Sequence, residues 1–594
     1  MKSGSHAAGK TLASALGAYA GLLSLRVVCE IAEGLETGNL LTDTVSRFSN
    51  SFTHDGLSDL LLFGALFLLL RRTAQREARP DGRTLALAVS LAALSLIGLC
   101  CSEMGKLSFL YANTYQRCLG LLCLLGRTLV FYPLLRLGEA AMDRPFSPGS
   151  NPLRRPVLTG ALVIFLCWLP WLLCNYPASF CPDATNQLSQ WAGIEPWSAH
   201  HPPFSTLLMG LCCSLGRALG SANFGCFLYV LLQSVCGALI FSYSIGLLYR
   251  EGLPFRLWLL MLLFFAATPF WGSFAQWFEK DLVYAECFTL TLTCIFPVLR
   301  ERRCSAGAAL RIGGAAFLSL LLRKTGLYEL CPALLLLAFM LRGRDRRNLL
   351  AALCAVVLLA VGTERALYPA LGIEAGSVRE ALSIPFQQTA RYVCTYPDEV
   401  TEEERLVIDA VLDYEKLGEY APLCSDPVKA TYREDAAALG PYFAVWLRML
   451  FKHPLCYLEA GFMKSYGYYT LDYPALDAYL LRQYDPLLAE MGIHRVFGDF
   501  PTRLFDSLRQ CMIEFPALEL LCTAGLYTWV LLFCALRLGR RGKRAEMLLL
   551  LPSFMNVLVC IASPLPGSTR YALPMIAVTP MLLGWTLLQT RRTS

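Results

Sequence analysis

From Cys181 to Leu207 the chain reads CPDATNQLSQWAGIEPWSAHHPPFSTL, a stretch that gathers Asp183, Glu195, His200 and His201 around Trp191 and Trp197. A carboxylate held among tryptophans and oily walls loses part of its hydration. Its basicity then rises, and it is suited to take a proton from a nucleophile. A lone loop carboxylate is usually just solvated, so the neighbours of Asp183 are what make it the leading candidate base, with Trp191 and Trp197 as lining. His200 and His201 are open to four roles: metal ligands, a proton relay, a contact to substrate, or the polar start of the helix that Pro202 and Pro203 introduce. Adjacent histidines point different ways on most backbones. A metal site would therefore need Asp183 or Glu195 as well, and a divalent ion such as Mg or Mn stays open.

A second acidic and basic group, Glu279, Lys280 and Asp281, opens an apolar run. Carboxylates there complement a helix N-terminus, whereas Lys280 is not favoured by that dipole and calls for an anion, either a phosphate or a carboxylate. Arg323, Lys324 and Arg570, the last followed by Tyr571, are cations at the ends of apolar runs. Charges near hydrocarbon are costly unless paired. Two readings stand for them: a grip on the phosphate of a lipid carrier, or snorkelling to ordinary headgroups.

The elements that must position these residues are apolar helices. The chain has 594 residues, 55% hydrophobic and 16% charged, against roughly a quarter charged in soluble domains. Uncharged runs near the roughly twenty residues needed to cross a bilayer recur along it. The fold class expected is all-α, a polytopic membrane helix bundle of about fourteen spans with a juxtamembrane helix. The spans fall near 12–29, 57–70, 84–102, 116–137, 156–175, 223–248, 256–271, 281–299, 310–322, 327–341, 348–369, 517–536, 546–562 and 571–589. The first run lacks a small-residue cleavage pattern and reads as a retained span. Net charge is +7, but the basic residues are not interleaved with aromatics as a base-stacking surface requires, so nucleic acid is not an expected partner.

Basic residues cluster instead between apolar runs: Arg71, Arg72, Arg76, Arg79 and Arg83; Arg300, Arg302, Arg303 and Arg311; Arg342, Arg344, Arg346 and Arg347; Arg537, Arg540, Arg541, Lys543 and Arg544; Arg591 and Arg592. All fall on the cytoplasmic side, with both termini, only if 203–219 is interfacial or re-entrant. The candidate polar residues then share the extracytoplasmic face. So does 371–516, whose DEVTEEERLVIDAVLDYEK and SDPV reflect a wetted, mainly helical segment with helices expected at 402–417 and 442–457. Four parts result: an N-terminal four-span module (1–150), a transmembrane core with an outer loop at 176–222 (151–370), the extracytoplasmic segment (371–516) and C-terminal transmembrane helices (517–594). Of 24 cysteines most lie in apolar runs as small hydrophobes. Cys394 and Cys424 lie outside them, where a disulfide is open.

Several of these stretches resemble the GT-C superfamily of membrane glycosyltransferases, which includes protein O-mannosyltransferases, lipid A aminoarabinose transferases and oligosaccharyltransferases. CPDATNQ resembles its first acidic motif, with Asp183 in the acidic place. HHPPFSTLLMGL looks like its proline-led juxtamembrane helix, FEKDLVYAECF its second acidic motif, and GSTRYALP its late Arg-Tyr-Pro element. LSIPFQQTARYV, SDPVKATY and RKTGLYEL look like an uncharacterised bacterial branch of this fold. The likeness covers about 156–589, and the first four spans look like an added module. Asp183 has no acidic neighbour before Glu195, a departure from the paired acids of many relatives.

The resemblance implies inverting transfer of a sugar from a polyprenyl-phosphate carrier, in a membrane of ordinary lipids, to an extracytoplasmic acceptor: a cell-envelope polymer, a glycolipid or a protein. Asp183 would act as base, with Glu195, His200, His201, Glu279 and Asp281 as further catalytic candidates. Lys280, Arg323, Lys324, Arg570 and Tyr571 would hold the donor phosphate, and Gln387, Gln388 and Arg391 would line the cavity. A transporter or flippase of lipid-linked saccharides is the rival. It would place polar groups at mid-membrane on broken helices, often in two similar halves.

Overall fold

The computed structural model describes residues 2–31, 33, 39–76, 80–144, 153–434, 439–471, 473 and 486–591, so Arg79 and Arg592 of the basic clusters lie outside the described residues. The chain is 78% helical, with no strand among the described residues. Among the described residues eight helices are long and apolar enough to cross a membrane, or up to nine if the pair Phe255–Ala267 and Pro269–Ala275, bent by 50°, is one span. Each of the eight coincides with an expected run. The expected runs at 310–322 and 327–341 are the helices Ala306–Leu322 and Gly326–Met340, of 17 and 15 residues. At 1.5 Å per residue they reach only roughly 22–26 Å, short of a hydrocarbon core of about 30 Å. The run at 203–219 is the helix Pro203–Ala218, 16 residues long. Its Leu207, Leu211 and Leu215, four residues apart, are exposed on one face, as on a helix with one side in contact with lipid.

The chain divides into two compact units, which cut across the four parts expected from the sequence. One comprises Met1–Arg144, Ala381–Tyr473 and Pro564–Gly567. In it the helix Lys2–Leu25 lies directly on Thr114–Met142, because Gly126 has no side chain: a Cβ there would stand 2.3 Å from the Ala20 carbonyl oxygen. The Glu459 carboxylate accepts from the Leu107 amide at 2.8 Å, the Tyr111 hydroxyl at 3.0 Å and the Arg391 guanidinium at 2.6 Å. That carboxylate joins the N-terminal helices to 381–473, a segment separate from them in sequence. The helix expected at 402–417 is Glu402–Asp409, started by a Thr401/Glu404 capping box, followed by a 3-10 turn. The one expected at 442–457 is two, Leu439–Lys452 and Pro454–Met463, since Pro454 has no N–H to continue the ladder.

The other unit comprises Pro145–Glu380, Pro474–Ser563 and Ser568–Ser594. Two of its spans are enclosed by protein far more than the rest. Lys280–Glu301 has 78% of its apolar window buried and Thr569–Thr590 83%, against at most 50% for every other candidate span. Side chains at the starts of these two helices therefore face protein rather than lipid, and a polar group there can be paired.

Candidate functional site

Two backbone hydrogen bonds bring the site together. After the helix Pro156–Cys174 the chain runs beside the turn that precedes Lys280–Glu301. There the Ser179 amide donates to the Gln276 carbonyl at 3.2 Å and the Phe278 amide to the Ser179 carbonyl at 2.9 Å. Gln233, buried in the helix Ala222–Arg250, fastens the same turn by donating to the carbonyls of Ala275 and Trp277 at 2.9 and 2.6 Å. The short helix Pro182–Trp191 then begins with Asp183 in its first turn. Glu279 caps Lys280–Glu301, its side chain accepting from the Lys280 amide at 3.0 Å.

At this junction three carboxylates meet two cations. The Arg570 guanidinium donates to Asp183 through Nη2 and to Asp281 through Nε, and Nη2 lies 3.4 Å from Glu279. Lys280 Nζ is 2.8 Å from Glu279 and 3.8 Å from Asp183. The anion that Lys280 calls for is thus carboxylate. The Cys181 thiol donates to the other Glu279 oxygen at 2.8 Å. The starts of the two spans each add roughly half a positive charge, so the excess carboxylate is close to balanced. Side chains of Glu279, Asp281, Lys280 and Arg570 are 2, 3, 9 and 14% exposed, while that of Asp183 is 32% exposed. Asp183 is the member that solvent or a ligand reaches. Burial pushes its carboxyl up, but Arg570 and Lys280 outweigh burial and hold it well below the usual carboxylate range.

Behind this cluster Arg323 and Tyr571, both expected at the donor phosphate, join Tyr284, Glu329 and Asn556, which sequence reasoning missed. Arg323 is stacked between rings, its Cζ 5.5 Å from the Tyr284 centroid and 5.2 Å from that of Tyr571, and Tyr571 also faces Arg570 at 5.7 Å. The Tyr284 hydroxyl donates to fully buried Glu329 at 2.7 Å. The Asn556 amide donates to Glu329 at 3.2 Å and to the Tyr571 carbonyl at 3.3 Å. An acid inside an apolar run was the available signal for Glu329. The same signal stood for Glu286, which is 1% exposed within Lys280–Glu301 and whose Oε1 has no hydrogen-bond partner among the described residues.

The other candidates have different employment. His201 is buried beside this cluster, where the charges of Lys280 and Asp183 reach it. Burial pulls it down to about 3, so it is a neutral imidazole at ordinary pH. Its ring meets that of exposed His200 edge to face at 4.6 Å. Glu195 is exposed and accepts from Asn186 at 2.7 Å. Trp191 packs on Gly210 and donates to Ser214 at 3.1 Å, with Trp197 6.0 Å from it, ring to ring. Lys324 pairs with Glu364 at 3.2 Å.

Gln387, Gln388 and Arg391, expected as cavity lining, hold their own unit together. Gln387 donates to the carbonyls of Ala421 and Cys424, Gln388 to that of Tyr457, and Arg391 pairs with Glu459. Cys394 and Cys424 are free thiols.

Among the described residues no three His, Cys, Asp or Glu side chains form a group that could hold a metal ion. The carboxylates nearest to such a role, Asp183, Glu279 and Asp281, all face Arg570, whose charge would repel a divalent ion. Of the ligands that the sequence left open, Asp183 is bonded to Arg570 and Glu195 to Asn186, and neither joins His200 and His201 in such a group.

Residues 195–594 match a family of unknown function, DUF6020. The chain belongs to that family. The part of the chain matched to DUF6020 contains Glu279, Lys280, Asp281, Arg323 and Arg570, while Asp183 stands ahead of it. No curated protein and no solved structure matches the chain.

Proposed function

We propose that this protein is an integral membrane glycosyltransferase of GT-C type, moving a sugar from a polyprenyl-phosphate carrier to an extracytoplasmic hydroxyl on a cell-envelope polymer, glycolipid or protein. The observation that carries the reading is the position of Asp183. It is the most exposed member of a cluster otherwise buried at the starts of two enclosed spans, and it touches both cations. In this reading the chain crosses the membrane about fourteen times, with both termini cytoplasmic and the cluster at the outer surface, where a donor too oily to leave the bilayer can meet a water-soluble acceptor.

Asp183 takes the proton of the acceptor hydroxyl as its oxygen bonds to the sugar's anomeric carbon. The bond from that carbon to the phosphate oxygen breaks, its electron pair stays with the phosphate, and configuration inverts. Arg570 and Lys280 stabilise the charge gathering on the leaving phosphate. Paired as it is, Asp183 is a weak base. A donor phosphate that draws the two cations toward itself raises its basicity, so the base is strong only when the donor is bound. Arg323 and Lys324 are engaged elsewhere and are left out of the phosphate grip.

The test is transfer from radiolabelled polyprenyl-phosphate sugars in membranes holding the wild type or Asp183→Asn at equal expression. Loss of turnover by about 100-fold or more supports the base; unchanged turnover refutes it. Two observations favour the transport alternative: buried Glu286 inside a span, and the 50° break between Phe255–Ala267 and Pro269–Ala275. Movement of a fluorescent lipid-linked saccharide across proteoliposomes without any transfer product would establish that alternative.

A further inference from the structure

Lys324 leads to a different site. It lies in the turn between the apolar helices Ala306–Leu322 and Gly326–Met340, and its partner Glu364 sits on a π-helical turn, Thr363–Leu367, at the end of the apolar helix Gly343–Gly362. The extra residue in a π turn rotates the side chains that follow, and such turns recur at functional positions. Here the turn sets Glu364 against Lys324 at 3.2 Å, with each side chain 46% exposed. The pair borders a cavity of about 140 Å³ whose walls include Leu320, Leu321, Leu327 and Val361. Two residues of its wall, Tyr328 and Val361, and the neighbouring Leu358 and Leu359 are exposed by 43 to 72%, a surface suited to acyl chains rather than to water.

We propose that this cavity binds a phospholipid whose headgroup carries both a phosphate and a primary ammonium, the ethanolamine class, with Lys324 on the phosphate, Glu364 on the ammonium and an acyl chain along the leucines. The pair as it stands holds its two charges loosely, since half-exposed ion pairs contribute little net stability, and it can open to admit a headgroup. A zwitterion then gives each charge an opposite one and forms a ring of four. An anionic headgroup without an ammonium leaves Glu364 facing like charge. A choline headgroup has no N–H to donate to the carboxylate. The site is independent of the sugar-transfer reading, because it uses neither Asp183 nor Arg570.

The experiment is native mass spectrometry of the delipidated full chain in detergent, titrated with phosphatidylethanolamine, phosphatidylglycerol or phosphatidylcholine of matched acyl chains. The ethanolamine lipid is expected to bind about tenfold more tightly than either of the others, as a charge-assisted hydrogen bond worth about 1.5 kcal/mol implies. Glu364→Gln should bring the ethanolamine and glycerol lipids to parity, and Lys324→Gln should weaken both. Equal or tighter binding of phosphatidylglycerol by the wild type overturns the proposal, even if neither variant folds. So does an ethanolamine preference that survives in Glu364→Gln.

Discussion

Arg570 bonds to Asp183, which stands 387 positions earlier in the chain, and with the same guanidinium to Asp281. One cation thus holds the wet and the buried acid of the cluster together. Replacing it with methionine leaves two nearly buried carboxylates, those of Glu279 and Asp281, short of a counter-charge. The expected cost is about 3–5 kcal/mol, seen as a lowered unfolding midpoint of the purified protein in detergent. Adding Asp281→Asn should recover part of it, with a coupling energy of about 1 kcal/mol or more. Strictly additive single effects would mean that the pair does not interact as its geometry requires.

Arg323 is sandwiched between Tyr284 and Tyr571. The sequence alone leads to the expectation that Arg323→Ala chiefly weakens donor binding. The stacked, inward position leads to another: Arg323→Lys, which keeps the charge but loses the planar face, lowers stability by roughly 1–2 kcal/mol. Affinity for polyprenyl phosphate should stay within about twofold of the wild type, a change of under about 0.5 kcal/mol. Equilibrium binding beside thermal unfolding separates the two.

A Cβ at Gly210 would lie 2.0 Å from the Trp191 ring. Gly210→Ala must therefore push that ring, and with it the helix that begins at Pro182 and carries Asp183. The expected destabilisation is about 1–3 kcal/mol, partly relieved by Trp191→Ala in the same chain. An unfolding midpoint unchanged by Gly210→Ala would show that the ring moves aside freely.

His201 ionises near 6.5 when unfolded and near 3 when folded. Between those values the unfolded chain binds the extra proton, so stability rises with pH there and falls as the solution is made acidic. The slope this residue adds is at most about 1.4 kcal/mol per pH unit. His201→Gln should flatten the unfolding midpoint between pH 5 and about 6.5, and a variant as pH-dependent as the wild type would place the titration on another group.

Several elements were legible because their causes are local. Apolar runs bounded by Pro, Gly and charge marked each of the eight spans, and the Pro202-Pro203 start marked a helix that stops after 16 residues. Asp183, Glu279, Lys280, Asp281 and Arg570 stood out as polar residues at the edges of such runs, and they converge. Gln387, Gln388 and Arg391 were expected from the resemblance alone, and the hydrogen bonds that they make lie within their own unit. Residue type tells that a charge needs a partner, and leaves open which one.

The sequence by itself determined that this chain is a helical membrane protein and which of its charges are too costly to stand alone, because hydrophobicity, capping and desolvation act over a turn or two of chain. The tertiary structure alone decided that Arg570 pairs with Asp183 while Lys324 pairs with Glu364, and that Glu329 is held by Tyr284 and Asn556. Those choices depend on which helix ends converge, and convergence is set by packing between segments about a hundred or more residues apart, through contacts such as the hydrogen bonds between Ser179 and the turn before Lys280.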